Sequence, residues 1–141
     1  TLLDVGSGSG VLAIAAAKTG AKRAIGTEVD PQSVAVAREN TRKNAVGPRF
    51  QVYHTRGTTN ALIQRSAPYD LVFANILARP LVKLAPRISP LIGRGGHLIL
   101  SGLLTHQEPC VRAAYIGRGF NLIKRIRQDG WSTLVLRRSA Y

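Results

Sequence analysis

The first ten residues, Thr-Leu-Leu-Asp-Val-Gly-Ser-Gly-Ser-Gly (residues 1–10), decide the fold predicted for this 141-residue chain. The five residues before the first glycine are typical of a short buried strand, and Val11–Lys18 is typical of a helix. Between them, Gly6, Gly8 and Gly10 predict a tight turn whose backbone a ligand can approach closely. The helix N-terminus adds unpaired N–H groups and a partial positive charge. The stretch therefore predicts a site for a nucleotide-like ligand.

The spacing of these glycines differs from that of dinucleotide-binding turns, whose fingerprint is G-x-G-x-x-G or G-x-G-x-x-A. Gly6 and Gly8 match it, but Val11 occupies the third small position and Gly10 comes one place early. The departure argues against a dinucleotide-dependent oxidoreductase. A tight turn that binds no ligand is the simplest alternative, although three glycines in five residues exceed what a turn requires.

Strand-like and helix-like segments alternate along the chain. Strands are predicted at residues 1–5, 22–28, 49–54, 69–75, 97–104, 120–127 and 131–138. Helices are predicted at residues 11–18, 31–45, 58–65, 77–92 (in two pieces, because of its prolines) and 107–118, and a glycine turn at 93–96. Strands separated by helices predict a parallel sheet with right-handed crossovers, and Asp129-Gly130 predicts a closing hairpin. The expected fold class is α/β: a three-layer sandwich with a Rossmann-like, seven-stranded, mostly parallel sheet and an antiparallel C-terminal hairpin.

Three acidic residues near the glycine turn are candidates for binding the ligand. Glu28 ends the second predicted strand, and an acid about 20 residues after such glycines can accept hydrogen bonds from both ribose hydroxyls. Asp30 precedes Pro31 and predicts a helix cap, whereas Glu28 has no comparable structural role and is assigned to the ribose. A surface ion pair is the alternative for Glu28. Asp4, inside an apolar strand, must be hydrogen-bonded or paired; it either holds the glycine loop or reaches the ligand's amino group through water.

Asn75 ends the fourth predicted strand, which we expect to lie beside the first. Ligands of such sheets bind at the carboxyl ends of the strands. Asn75 is therefore expected to project over the cleft near the ligand's reacting atom, with a cap or turn role as the alternative. Trp131 is interpreted as a packing residue on an edge strand rather than as a stacking platform.

The formal net charge of +13 favours an acidic partner such as RNA or a ribonucleoprotein. From Leu71 onward, eleven Lys and Arg face only Glu108 and Asp129. No basic run with interleaved aromatic residues stands out, so a solvated basic surface is the alternative, and RNA contact is expected to be indirect.

The cysteine, histidine and apolar content of the chain bear on its cellular setting and on metal and membrane binding. Cys110, the single cysteine, cannot form an intrachain disulfide, and a reducing cytoplasm is the expected setting. His54, His97 and His106 lack the spacing of metal ligands, and no metal is expected. No apolar run approaches the ~18 residues of a membrane helix, and no membrane contact is expected.

Several motifs together resemble class I S-adenosylmethionine-dependent methyltransferases: Asp4-Val-Gly-Ser-Gly-Ser-Gly10, the acid in Gly26-Thr-Glu-Val-Asp-Pro31, and Asn75 after the fourth strand. The run Asn75-Ile-Leu-Ala78, with further matches at Leu84-Ala-Pro86, Gly95-Gly96, Leu100-Ser-Gly-Leu-Leu104 and Gly130-Trp131, more closely resembles the catalytic domain of the ribosomal protein L11 methyltransferase family (PrmA). Related amide and adenine methyltransferases carry Asn-Pro-Pro-Tyr at the position of this run.

The resemblance implies a methyltransferase domain at residues 1–141, with S-adenosyl-L-methionine as cofactor and Gly6, Glu28 and Asn75 as contacting positions. Asp4 and Gly8 complete the predicted cofactor site, and Asn75 is the predicted catalytic residue. The family usually has Asp where Glu28 stands. It also carries an N-terminal substrate-binding domain and an upstream cofactor-contacting Thr, so the chain is expected to be part of a longer protein.

The implied reaction is methyl transfer to amino groups, of lysine side chains or the N-terminus, in a large-subunit ribosomal protein. Two alternatives stay open. One is a class I methyltransferase that acts on another protein or on RNA. The other is a non-catalytic, RNA-binding Rossmann-like domain.

Overall fold

The computed structural model describes residues 1–141, which form two compact units, Thr1–Ser66 and Ala67–Tyr141. The strands are β1 (Leu2–Val5), β2 (Ala24–Glu28), β3 (Phe50–His54), β4 (Tyr69–Asn75), β5 (Ile92–Leu104), β6 (Phe120–Gln128) and β7 (Trp131–Arg138). The helices are α1 (Val11–Lys18), α2 (Pro31–Lys43), α3 (Ala61–Arg65), α4 (Ala78–Ile88) and α5 (Glu108–Ile116). None of these helices is long and apolar enough to cross a membrane. The predicted fold class, with seven strands that are mostly parallel, is confirmed.

The first unit carries parallel strands in the order β3-β2-β1. All four residues of β1 are buried, and β2 is buried up to Glu28. Strands of this kind read as continuous apolar runs because both of their faces are covered. The carboxyl ends of β1 and β2 therefore lie at one edge, where Asp4 pairs in register with Gly26.

The second unit orders its strands β4-β5-β7-β6. β4 and β5 are parallel, whereas β7 is antiparallel to both β5 and β6. The predicted hairpin is confirmed, and its two turn residues, Asp129 and Gly130, have φ values of 51° and 81°. Two successive residues with positive φ are typical of the tight turns that match the twist of hairpin strands.

Two boundaries in the second unit differ from the sequence predictions. The glycine turn predicted before the fifth strand lies inside β5, because Tyr69 pairs with Ile92 while Leu71 already pairs with His97. The predicted helix 77–92 is divided into two pieces, as expected, but ends sooner: α4 runs through Pro86 to Ile88, a 3₁₀ turn at Ser89–Leu91 follows, and β5 begins at Ile92. A proline within a helix removes one backbone hydrogen bond, and here the rest of the ladder continues past it.

A buried carboxylate ties α5 to the hairpin. Glu108, 2% exposed, accepts hydrogen bonds from Ser132 Oγ at 2.9 Å and Arg127 Nε at 3.1 Å, and it also pairs with Arg125. Burial by itself raises the pKa of this carboxyl. The hydrogen bonds from Ser132 and Arg127, with the charges of both arginines, outweigh burial and hold the pKa below its ordinary value.

Candidate functional site

The glycine turn between β1 and α1 is built from backbone hydrogen bonds. Gly6, Gly8 and Gly10 all have positive φ, at 71°, 53° and 83°. The Ser7 N–H donates to the Thr27 carbonyl at 2.9 Å, which ties the turn to β2. The Gly10 N–H donates to the Ser7 carbonyl at 2.8 Å and closes the turn on itself. The loop is thus ordered by the chain itself.

Gly8 and Gly10 have different surroundings in this turn. A Cβ on Gly10 would lie 2.9 Å from Phe50 Cε1, so only glycine fits between α1 and that ring. A Cβ on Gly26 of β2 would meet the same ring at 2.9 Å and Ser7 Oγ at 2.8 Å. A Cβ on Gly8 would meet nothing within 4 Å. Gly10 is therefore needed for packing, whereas Gly8 borders open space from which a ligand can reach the backbone.

Glu28 binds the glycine turn directly. Its Oε2 accepts a hydrogen bond from the Gly8 N–H at 2.9 Å, and its Oε1 accepts from the N–H groups of Val29 at 2.7 Å and Asp30 at 3.1 Å. The expectation that Glu28 has no structural role was wrong, and no ion pair of this residue supports the alternative. An ionised carboxylate has about four acceptor positions. Three are occupied here, so one position on Oε2 is free for a ligand hydroxyl.

Asp30 is the helix cap that the sequence predicts. Its carboxylate accepts from the N–H groups of Gln32 at 3.2 Å and Ser33 at 2.9 Å, and from Ser33 Oγ at 2.7 Å. The hydrogen bonds from Ser33 lower the pKa of this carboxyl most. His54, on the adjacent strand, lies with Nε2 2.9 Å from the Val29 carbonyl oxygen. The predicted cap at Asp30 is thus confirmed.

Asp4 is buried beneath the turn, with 1% of its surface exposed. The Ala13 N–H, in the first turn of α1, donates to its carboxylate, so the bond goes to the helix rather than to the glycine loop. Oδ2 has no partner. Burial, reinforced by the negative charge of Glu28, raises the pKa of Asp4 to about 7. Burial therefore favours the protonated form of Asp4 over the carboxylate relative to an exposed aspartate.

Two exposed apolar side chains come next to the glycine turn and Glu28 in the sequence. Val29, directly after Glu28, is 56% exposed, and Val11, the first residue of α1, is 65% exposed. Exposed aliphatic surface beside hydrogen-bonding groups is the usual composition of a small-molecule site. The first unit therefore brings together four of the predicted residues: Asp4, Gly6, Gly8 and Glu28.

Asn75 lies in the second unit, at the carboxyl end of β4 in register with Ser101. Its side chain is exposed and forms no hydrogen bond within the chain, and α4 is preceded by Leu77 rather than capped by a side chain. Asn75 does not cap α4, and a turn role at the end of β4 stays the alternative to a site role. A cavity of about 400 Å³ opens here, lined by Asn75, Ile76, Leu77, Ser101, Gly102 and Trp131.

Gly102 shapes this cavity because it must approach the backbone after Asn75. Its φ is 79°, and a Cβ would lie 2.6 Å from the Ile76 carbonyl oxygen. Trp131 forms part of the same wall and is 51% exposed. Its interpretation as an edge-strand residue was wrong, since β7 lies between β5 and β6. The signal in the sequence is an aromatic residue directly after a tight turn, where its ring stays accessible.

No cluster of three or more His, Cys, Asp or Glu side chains is placed to hold a metal ion. The groups gathered in the first unit are hydrogen-bond donors and acceptors instead. Their chemistry suits an organic ligand with hydroxyl and amino groups.

Comparison with known proteins agrees with this geometry. The family model described as Ribosomal protein L11 methyltransferase (PrmA) matches residues 1–139. The curated ribosomal protein L11 methyltransferase of Caulobacter sp. (strain K31) is 51% identical over 137 residues, which cover 97% of this chain and 47% of that protein. The chain thus spans about half the length of the curated relatives it matches.

Solved structures give the same result. The ribosomal protein L11 methylase of Lactobacillus delbrueckii subsp. bulgaricus superposes with a TM-score of 0.85 at 31% identity, covering 98% of this chain and 69% of that one. An RNA methyltransferase from Salinibacter ruber, solved in complex with S-adenosyl-L-homocysteine, has a TM-score of 0.76 at 21% identity. It covers 99% of this chain and 81% of its own, and at that identity it shows a shared fold alone. The family match and the methylase likeness show that this chain belongs to the ribosomal protein L11 methyltransferase (PrmA) family.

Proposed function

We propose that this chain is the methyltransferase domain of a protein that transfers methyl groups from S-adenosyl-L-methionine to amino groups of a large-subunit ribosomal protein. The observation that carries the proposal is the bond between Glu28 and the Gly8 N–H, beside open space at Gly8. Membership of the family supports it, because the relatives are named for methylation of ribosomal protein L11. The cytoplasm, where ribosomal proteins meet such an enzyme, is the proposed location.

The residues of the first unit fit this cofactor. Glu28 keeps one free acceptor position for a ribose hydroxyl, and Gly8 offers backbone beside open space, next to the positive-φ turn residue Gly6. Asp4 keeps an unpartnered buried oxygen, which suits a direct or water-mediated contact with an amino group. When bound, S-adenosylmethionine supplies a methyl group already activated by its sulfonium, so the protein has mainly to bind, orient and exclude water.

The second unit supplies the proposed acceptor side. A lysine amine has a pKa of about 10.4 and must lose a proton before it acts as a nucleophile. The Asn75 amide oxygen can accept a hydrogen bond from such an amine and fix its direction, while Trp131 keeps water from one side of the cavity. The cavity residues include no carboxylate or histidine to serve as a general base. We therefore assign Asn75 to orienting the amine, and we propose that the amine releases its proton to solvent.

The test is transfer of tritium-labelled methyl from S-adenosylmethionine to purified ribosomal protein L11, with ribosomal RNA as a parallel acceptor. Label in the protein, at amino groups identified by mass spectrometry, supports the proposal. Label in RNA alone identifies a methyltransferase of different substrate class. Absence of transfer with intact RNA binding identifies the non-catalytic alternative.

Asn75→Ala tests the assigned catalytic residue. Because the side chain is exposed and makes no hydrogen bond, its removal is expected to change the free energy of unfolding by less than about 0.5 kcal/mol. Turnover is expected to fall at least tenfold. Asn121→Ala is the matched control: it removes an exposed asparagine bonded only to Ser139 Oγ and leaves turnover unchanged. Equal turnover in both variants would contradict the role of Asn75.

A further inference from the structure

One face of α4 carries a row of positive charges. Arg79, Lys83 and Arg87 stand four residues apart, and all three side chains are exposed. Four residues of helix rise about 6 Å, so the row extends about 12 Å along the axis. We call these three residues the α4 basic row.

The row lies opposite the face that anchors the helix. Leu81, Ala85 and Ile88 are buried completely and hold α4 to the rest of its unit. The Tyr115 hydroxyl, on α5, donates to the Leu81 carbonyl at 2.9 Å and fixes the helix further. The α4 basic row is therefore presented by a rigid element and points away from the core.

The three cations have no negative partner. None of them forms an ion pair or a hydrogen bond, and α4 contains no acidic residue. Like charges four residues apart destabilise a helix by a few tenths of a kcal/mol per pair. The exposed face of α2 shows the contrasting arrangement, because Lys43 there pairs with Glu39 at 2.7 Å. Only Arg87, in the last turn of α4, is favourably placed against the helix dipole, so repulsion within the row is offset at one end alone.

The cations of β6 are used differently. Arg125 and Arg127 both pair with the buried carboxylate of Glu108, and Lys124 is the one exposed β6 cation without an ion pair. The charges of the two arginines are used to hold the hairpin against α5. The α4 basic row is thus the better candidate for an external partner.

We propose that the α4 basic row binds the phosphodiester backbone of RNA. The residues Ala67–Tyr141 contain eleven Lys and Arg against three Asp and Glu, so the surrounding field favours a polyanion. The row presents charges with no exposed aromatic or aliphatic side chain among them: the other exposed residues of α4 are Pro80 and Pro86, and the exposed Leu77 before the helix lines the Asn75 cavity. Protein interfaces have an apolar core and stable membrane anchoring needs buried apolar surface besides charge, whereas phosphate contact needs only cations. The contact is direct, independent of sequence, and independent of methyl transfer.

The test compares two triple variants of the purified protein. Arg79→Gln, Lys83→Gln and Arg87→Gln together remove the row. Lys18→Gln, Lys22→Gln and Arg23→Gln together remove the same charge from exposed positions of the first unit. Binding to a fluorescein-labelled 20-base-pair RNA hairpin is followed by anisotropy at several salt concentrations, and S-adenosylmethionine binding is measured in parallel.

Loss of the row is expected to reduce the slope of log K against log salt by about 2 to 3, because each phosphate contact contributes about 0.7–0.9. Between 50 and 200 mM salt, the wild type then loses roughly 20- to 40-fold more affinity than the variant. The control triple is expected to change the slope by less than about 1. Equal slopes for the two triples would overturn the proposal and indicate a diffuse charge effect.

A polyglutamate peptide of equal charge separates RNA from an acidic protein. The expected result is that it competes poorly. Competition equal to that of unlabelled RNA would overturn the assignment to RNA. S-adenosylmethionine affinity is expected to be unchanged in the row variant. Failure of cofactor binding in the wild type would remove the proposed function and leave this result standing.

Discussion

Substitution of Glu28 by alanine tests the site most sharply, because this carboxylate is both a support of the glycine turn and a proposed ligand contact. In the structure, it accepts three backbone N–H groups and keeps one acceptor position on Oε2 free. The N–H groups of Val29 and Asp30 lie at exposed positions, so water replaces the carboxylate there at small cost. The Gly8 N–H is partly buried, and its loss of a partner loosens the turn.

The magnitude follows from one ligand hydrogen bond to a charged acceptor, which contributes about 1.5–3 kcal/mol. We therefore expect Glu28→Ala to raise the dissociation constant for S-adenosylmethionine roughly 10- to 150-fold. Glu28→Gln keeps a carbonyl acceptor without the charge and is expected to fall between wild type and alanine. Loosening of the turn adds to the effect of alanine.

Isothermal titration calorimetry measures these constants directly. Glu39→Ala is the matched control, because it removes an exposed glutamate of the same unit that pairs only with Lys43. Its cofactor affinity is expected to match the wild type. A dissociation constant for Glu28→Ala within twofold of the wild type would refute the reasoning and leave Glu28 as a support of the loop alone.

Three further predictions concern stability. Folded Asp4, with its pKa near 7, keeps a proton that the unfolded residue loses above about 3.8. Urea denaturation is therefore expected to show wild-type stability falling by up to roughly 4 kcal/mol as pH rises through that window, and Asp4→Asn to remove this dependence. Gly10→Ala is expected to destabilise by about 1–3 kcal/mol more than Gly8→Ala in the same assay, since both adopt positive φ but only Gly10 contacts the Phe50 ring; equal losses would refute the packing role. Glu108→Gln is expected to lower the melting temperature through a loss of about 1–2 kcal/mol at neutral pH. The difference from wild type should shrink as pH falls below the ordinary carboxyl pKa and vanish below the lowered pKa of folded Glu108; a constant difference would count against the ion-pair explanation.

The sequence predicts most of this fold because its strands and helices alternate clearly. Local backbone chemistry can be predicted from a single sequence. It determines the glycine turn, the cap at Asp30 and the hairpin turn at Asp129-Gly130. The start of β5 was predicted wrongly because it depends on contacts between distant segments and not on local backbone chemistry. Its pairing with β4 resumes across an extruded glycine turn, and only contacts between distant segments fix that register.

The candidate site was predicted in part. The choice of Glu28 over Asp30 followed from the cap that Pro31 indicates, but the three backbone bonds of Glu28 depend on how the turn folds back over β2. The raised pKa of Asp4 follows from burial against an unpartnered oxygen, which spacing along the chain does not reveal. Trp131 was assigned to an edge strand because the sequence of the hairpin does not determine which of its two strands pairs with β5.

The most direct test of the central claim is a pair of titrations on the purified protein, with S-adenosylmethionine and with NAD under identical conditions. The glycine turn and Glu28 predict saturable binding of S-adenosylmethionine at one site per chain, weakened in Glu28→Ala, and no comparable binding of NAD. Saturable binding of NAD without binding of S-adenosylmethionine would contradict the proposed cofactor and the function built on it.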